Sequence, residues 1–376
     1  MAYEALLEEL KARRDKALAM GGPERLAARR AQGVLNARER IDVLFDRGSF
    51  LESGLLATSY RPEARDKTPA DGKVAGYGLV DGRPVAVVSN DFTVLGASSS
   101  VVNGKKIKHV KQVATESGMP IVFLGESAGS RMPDRMGAPG RAILGQDPVE
   151  YLRDRKTPWV SALLGSCYGS STWYACLSDF VVMRKGATMA VASSRVTALA
   201  IRQPVDPEEL GGWQLHTGTT GLVDIAVDTD EQALDMVRRF LSYLPSHSGE
   251  APPVADVPPE SGERMKDILD VVPESRSQVY DSRDVIDRIL DAGSLFELKP
   301  RFGKSMVTCL GRLDGRTVGI IANNPKFKGG SIDVDACAKA TSFIVLCDSF
   351  NVPIVFLVDQ PGFLIGVEGE RRAAPG

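Results

Sequence analysis

Gly78-Leu79-Val80-Asp81-Gly82-Arg83-Pro84-Val85 recurs 233 residues later as Gly311-Arg312-Leu313-Asp314-Gly315-Arg316-Thr317-Val318. At the same offset, Met119-Pro120-Ile121-Val122-Phe123-Leu124 returns as Val352-Pro353-Ile354-Val355-Phe356-Leu357. A third block, from Ile41 to Glu52, is echoed from Ile286 to Glu297. Three blocks in one order mark an internal duplication, which constrains a fold more than local propensity does. In each copy an Asp-Gly turn joins β-branched runs, as a hairpin requires. A loop of small residues follows, then a helix (about Lys105 to Ser117, and Asp335 to Phe350), then a wholly apolar strand. Strand, helix and buried strand in succession predict βαβ crossovers and a largely parallel sheet in an α/β fold.

The 376 residues exceed one ordinary core, and Ser246 to Ser261, with Pro252-Pro253 and Pro258-Pro259, has the composition of an exposed linker. Domains are expected at 1–250 and 263–376, joined by 251–262. Upstream, residues 4 to 46 read as two helices broken at Gly21-Gly22-Pro23, with Leu6, Leu7 and Leu10 on an apolar face. The arginines there (Arg13, Arg14, Arg25, Arg29, Arg30) read as a solvated face.

Forty-six basic against 48 acidic residues leave a charge of −2, so no global field draws nucleic acid or an anionic membrane. The N-terminus is not a signal peptide and no apolar run approaches the length of a span, which predicts a cytoplasmic protein. Five scattered cysteines and three histidines give neither a disulfide framework nor a metal spacing, and the thiols are expected in the core.

Three segments rich in small residues each follow a predicted strand: Val94 to Ser100, Gly125 to Arg131, and Gly165 to Ser171. Small residues there let backbone amides approach a ligand, and ligands bind at strand carboxyl ends in open α/β folds. The third runs into an apparent helix at Thr172. It is either a tight turn for close packing or a helix N-terminus whose unpaired amides favour an oxyanion. No nucleophile elbow or Walker motif occurs, Ser127 has no paired histidine, and His216 reads as structural. Any chemistry must rest on backbone amides and on groups that the substrate brings.

These residues resemble the carboxyltransferase (β) subunits of biotin-dependent acyl-CoA carboxylases, members of the crotonase superfamily. The resemblance runs from about Leu35 to Gly366 and includes Ala37-Arg38-Glu39-Arg40-Ile41, Asp91-Phe92-Thr93-Val94, Glu208 to Gly212 with His216-Thr217, and Pro361-Gly362-Phe363. It implies tandem crotonase-like (ClpP/crotonase) β-β-α superhelical domains, the first for acyl-CoA and the second for biotin. It also implies a carboxyl transfer. Carboxybiotin, on a separate carrier chain served by a biotin carboxylase, releases CO2, its ureido nitrogen takes the α-proton of the acyl-CoA, and the enolate attacks CO2. The family's oxyanion stretch is similar to Cys167 to Ser171, making Gly169 and Ser170 the amide donors, at ~3 to 4 kcal/mol each. Its coenzyme A loops are similar to Ser127-Ala128-Gly129-Ser130-Arg131 and to Gly96-Ala97-Ser98.

Ala128 and Ser170 replace family glycines, and Tyr168 and Trp173 add bulk beside the presumed hole. The family's working site lies between subunits, so a homo-oligomer is expected. The 233-residue offset puts the second copy's counterpart of Gly169 near position 402, past Gly376, so the chain is expected to be a piece of a longer protein lacking the biotin-side hole. Two other readings stand beside the carboxylase: a decarboxylase component using the same hole in reverse, and a non-catalytic assembly subunit.

Overall fold

The protein is described from a computed structural model covering residues 3–141, 147–151, 153–275 and 278–372. It divides into two compact units: residues up to Trp213 with Ala226–Arg238, and Gln214–Ile225 with the chain from Arg239 onward.

The first unit opens with three helices rather than the expected two: Glu4–Leu18, Pro23–Ala31 and Ala37–Leu44. Gly33, at φ +66°, ends the second. Asn36 caps the third, accepting from the Arg38 and Glu39 amides while the Glu39 carboxylate accepts the Asn36 amide at 2.8 Å. Leu6, Leu7 and Leu10 do not form a buried face; all three are exposed. Nor are all the arginines solvated. Arg25 donates to the Thr93 carbonyl at 2.8 Å, and Arg29 makes a two-pronged contact with the buried Glu126 at 2.8 and 2.7 Å.

The sheet of this unit has strands β1 (Leu51–Glu52), β2 (Lys73–Val80), β3 (Arg83–Asn90), β4 (Ile121–Ala128), β5 (Trp159–Tyr168), β6 (Phe180–Arg184), β7 (Thr188–Ala190) and β8 (Ile225–Val227). Their order is β1-β2-β3-β4-β5-β6-β8, with β7 also pairing β5. β1, β2 and β3 are antiparallel, whereas β3-β4-β5-β6 run parallel. The helix Val101–Glu116 makes the crossover from β3 to β4, and its Ile107 and Val110 pack with Val88, Phe123 and Trp159.

The second unit repeats this plan. Strands β9 (Phe296–Leu298), β10 (Met306–Leu313), β11 (Arg316–Asn323) and β12 (Ile354–Leu357) form one sheet in the order β12-β11-β10-β9. Only β11-β12 is parallel, so the expected parallel sheet holds for the core of the first unit and not here.

The duplication reaches single atoms. The hairpin residues Asp81 and Gly82 have φ of 49° and 76°, and Asp314 and Gly315 have 50° and 73°. Both turns need positive φ at two consecutive positions, which Asp and Gly tolerate. Asp46 accepts the Asp81 and Gly82 amides at 3.2 and 2.8 Å, and Asp291 accepts those of Asp314 and Gly315 at 3.1 and 2.8 Å. Lys106 donates to the Lys73 carbonyl at 2.6 Å, and its counterpart Lys339 donates to that of Met306 at 2.8 Å.

The segment read as a linker is mostly exposed, yet the Ala255 amide donates to Gly315 at 2.9 Å and Ser261 is buried. All five cysteines are free; Cys167, Cys309 and Cys347 are buried as expected, but Cys176 is exposed. Among the described residues no helix is long and apolar enough to cross a membrane, and no cluster of metal-ligating side chains occurs.

Candidate active site

The three small-residue segments meet at the carboxyl ends of β3, β4 and β5. Part of what reads as loop is strand: β4 runs on to Ala128 and β5 to Tyr168, paired as Ser127 with Cys167 and Ala128 with Tyr168 past an irregularity at Gly125. Ser99 bridges Ser130, its amide donating to the Gly129 carbonyl at 2.8 Å while its own carbonyl accepts the Arg131 amide at 2.8 Å. A Cβ on Gly96 would sit 2.8 Å from that of Ala128, and one on Gly169 would sit 3.5 Å from the Gly129 Cα. Ser99 and Ser170 join the first and third segments through their hydroxyls, 3.0 Å apart.

Gly169 is where strand turns into helix. Its φ of 66° and ψ of −114° suit glycine alone, and it precedes the helix Ser170–Leu177 without a capping side chain. The first amides of a helix have no acceptor within it, so they face outward as donors with positive partial charge. They open on a cavity of about 650 Å³ bounded by Ser99, Gly129, Ser130, Gly169 and Ser170. That volume lies within the range of small-molecule sites.

The other residues of the two coenzyme loops do not line this cavity. Ala97, Ser98, Ser127 and Arg131 are buried. Arg131 pairs with the buried Asp71, and its Nε donates to Ser98 Oγ at 3.2 Å. Asp71 also takes the Ser100 hydroxyl and, at 3.0 Å, the Asn103 amide. Lys73 donates to the Ala97 carbonyl at 2.7 Å, and burial, then the neighbouring Arg131 charge, lowers its ammonium to about 7. This buried network fixes the Gly96 segment from behind. Gly96 and Ala128 pack on each other at its edge. Ser127 Oγ accepts the Gly129 amide at 3.1 Å, a turn-holding role. His216 is buried, with Nδ1 3.0 Å from Thr220 Oγ1. Of the two bulky residues, Tyr168 is buried in β5 and Trp173 lines the cavity.

Sequence reasoning missed the other walls. Lys105, Lys108 and Lys111 come from successive turns of Val101–Glu116, a spacing of three legible within the predicted helix. Lys105 and Lys108 are exposed and make no ion pair among the described residues. Lys111 is buried between Asp147, at 2.6 Å, and Glu150. Glu150 also accepts Trp173 Nε1 at 2.9 Å and bonds Tyr174, whose hydroxyl is pushed well above its ordinary value by burial and then by that carboxylate.

Behind the cavity, Glu126 takes Arg29 and Arg40, and Arg40 passes on to Asp230 at 2.9 Å. Asn90 bridges this network to the helix, donating to the Glu126 carbonyl at 2.8 Å and to Ser171 Oγ at 3.0 Å. A Cβ on Gly165 would lie 2.1 Å from Glu126 Oε1, so the carboxylate requires glycine there. Cys167 is pushed up to about 12 by burial and then by the Glu126 charge, so the thiol stays neutral and unreactive.

Residues 28–373 match the model of the carboxyl transferase domain. The propionyl-CoA carboxylase carboxyltransferase subunit of Haloferax mediterranei is 39% identical over 99% of this chain and 73% of its own length. The transcarboxylase 12S core, solved with methylmalonyl-coenzyme A and methylmalonic acid bound, superposes with a TM-score of 0.89 at 32% identity, over 99% of this chain and 73% of that one. A single-chain, multi-domain long-chain acyl-CoA carboxylase gives 0.87 at 32% identity, over 99% of this chain and 37% of that one. With the family model spanning residues 28–373 and a relative 39% identical covered over 73% of its own length, the chain belongs to the carboxyl transferase domain family.

Proposed function

We propose that this protein is the carboxyltransferase component of a biotin-dependent acyl-CoA carboxylase, taking short acyl-CoAs of the propionyl type. The observation that carries the reading is the uncapped helix start at Gly169-Ser170, opening on a cavity with cations at its rim. A thioester carbonyl set against the Gly169 and Ser170 amides gains hydrogen bonds that strengthen as charge moves onto oxygen, lowering the cost of removing the α-proton. The segments at Gly96–Ser98 and Ser127–Arg131 shape the approach for the coenzyme. The exposed Lys105 and Lys108 suit its phosphates. Carboxybiotin, arriving on a separate carrier chain, supplies the carboxyl group and the base.

Residues 1–250 form the acyl-CoA domain in this reading, and residues from 263 onward the biotin domain. The latter repeats the left-handed glycine of the first copy, Gly329 at φ 61° for Gly96 at 62°. It also repeats the bridge, Ile332 with Phe363 for Ser99 with Ser130. Self-association into a homo-oligomer, a biotin carboxylase partner and a cytoplasmic location complete the proposal.

The test supplies the full-length protein, including any residues that follow Gly376, with a biotinylated carrier, biotin carboxylase, ATP, labelled bicarbonate and a panel of acyl-CoAs. Label fixed on propionyl-CoA supports the reading. Label fixed on none of them, with no binding of any CoA thioester, defeats it in favour of an assembly role. Release of CO2 from methylmalonyl-CoA without carboxylation of propionyl-CoA supports the decarboxylase direction.

A further inference from the structure

A long-chain acyl-CoA carboxylase and a core that holds methylmalonyl-coenzyme A both superpose closely on this chain, so the backbone does not by itself set the acyl length accepted. Side chains around the cavity must. The cavity has a direction: along one helix face Lys105 and Lys108 are exposed, whereas Lys111 has 1% side-chain exposure. A thioester bound at Gly169-Ser170 sends two arms apart. The coenzyme arm, with its phosphates and its length, runs to the open, cationic end. The acyl arm is left with the enclosed end, where Trp173, Tyr174, Lys111 and Glu150 stand.

Trp173 lies three residues beyond Ser170 on the same helix, one turn from the amides. A tryptophan with half its surface exposed is ordinarily free to change rotamer. This one is held, because its Nε1 donates to Glu150 Oε2 at 2.9 Å and the other Glu150 oxygen meets the buried Lys111. Lys111 is fixed in turn by Asp147 at 2.6 Å and lies 5.1 Å from the centre of the Tyr174 ring, which stacks on Phe123 at 4.5 Å. The chain of contacts runs from the packed core to the indole, which makes the ring a fixed wall. The ion cluster of Lys111, Asp147 and Glu150 lines the cavity beside it, so a longer alkyl chain would bury paired charges in contact with hydrocarbon.

We propose that Trp173 is the residue that limits the acyl chain, with Glu150 as its positioning residue, and that the substrate class is short acyl-CoAs of about two to four carbons. This rests on the carboxyltransferase reading above. One extra methylene that fits a pocket, or fails to, changes discrimination about tenfold or more.

The test measures binding by calorimetry of acetyl-, propionyl-, butyryl-, hexanoyl- and octanoyl-CoA to the full chain and to its Trp173→Ala, Trp173→Leu and Glu150→Gln variants, each checked for unchanged circular dichroism. The wild type should bind hexanoyl-CoA at least about tenfold more weakly than propionyl-CoA. Trp173→Ala and Trp173→Leu should abolish or reverse that ratio, and Glu150→Gln should narrow it. If either folded Trp173 variant keeps the wild-type order, or the wild type shows no chain-length preference, the filter is refuted while thioester binding stands. If the wild type binds no CoA thioester, the functional reading fails, and the filter with it.

Discussion

Replacing Glu126 by Gln keeps the side chain's shape and removes its charge, which isolates what the buried network contributes. The carboxylate is 2% exposed and takes three guanidinium contacts, at 2.8 and 2.7 Å from Arg29 and 2.7 Å from Arg40. Arg40 has no exposed side-chain surface, and after the change its only carboxylate partner in this network is Asp230, already shared with Arg184 at 3.0 Å. Uncompensated burial of that kind costs about 3–5 kcal/mol, a large part of a domain stability of roughly 5–15 kcal/mol. With a urea dependence of about 1–3 kcal/mol per molar, the unfolding midpoint should fall by roughly 1–5 M. A fitting control is Asp228→Asn, which removes an exposed pair with Lys185 at 2.8 Å and should move stability by less than about 1 kcal/mol. Asn90 couples the Glu126 carbonyl to Ser171, so CoA thioester affinity should fall with the first variant and not with the second. Equal midpoints for the two variants in urea titration would refute the assignment of Glu126 as the network's anchor.

Four further outcomes follow from the same geometry. Gly169→Ala forces a side chain into φ 66°, ψ −114°, and should lower the carboxylation rate by tenfold or more without unfolding the chain, as steady-state assay and circular dichroism would show. Gly165→Ala drives a Cβ against Glu126 and should destabilise by about 1–3 kcal/mol in urea titration. Asn36→Ala breaks the capping box and should cost about 0.5–2 kcal/mol in the same experiment. Lys73, with its folded ammonium lowered to about 7 from 10.5, binds fewer protons folded than unfolded above pH 7, so its contribution makes stability rise with pH from 7 toward 10.5. Between pH 7 and 8.5, Lys73→Met should show a smaller upward slope than the wild type; equal slopes would count against the lowering of its ammonium by burial.

The duplication was legible because it is carried by residues with backbone demands. Asp81-Gly82 and Asp314-Gly315 must adopt positive φ, and that need is written in the residue types. The small-residue segments were legible for the same reason, since Gly96, Gly129 and Gly169 all have positive φ. What long-range pairing decides stayed hidden. Nothing near Arg29 or Arg40 announces a carboxylate at position 126, so Arg29 read as solvated. Arg131, which the resemblance puts on a coenzyme loop, pairs with Asp71, sixty residues away. Lys111 and Glu150 are 39 residues apart, and only the fold shows that they stand beside Trp173. The exposure of Leu6, Leu7 and Leu10 shows the converse, an apolar spacing that periodicity cannot tell from a buried face.

The central claim is that the Ser170 amide polarises a thioester carbonyl. Ser170 is the first residue of its helix, a position where proline is tolerated, so Ser170→Pro deletes the N–H and leaves the helix intact, while Ser170→Ala keeps the N–H and removes only the hydroxyl. Infrared difference spectra of propionyl-CoA labelled with carbon-13 at the carbonyl, free and bound, read the polarisation directly. A lowered carbonyl frequency is expected on binding to the wild type and to Ser170→Ala, and a clearly smaller shift with Ser170→Pro. The same shift in Ser170→Pro as in the wild type, with binding retained, would contradict it.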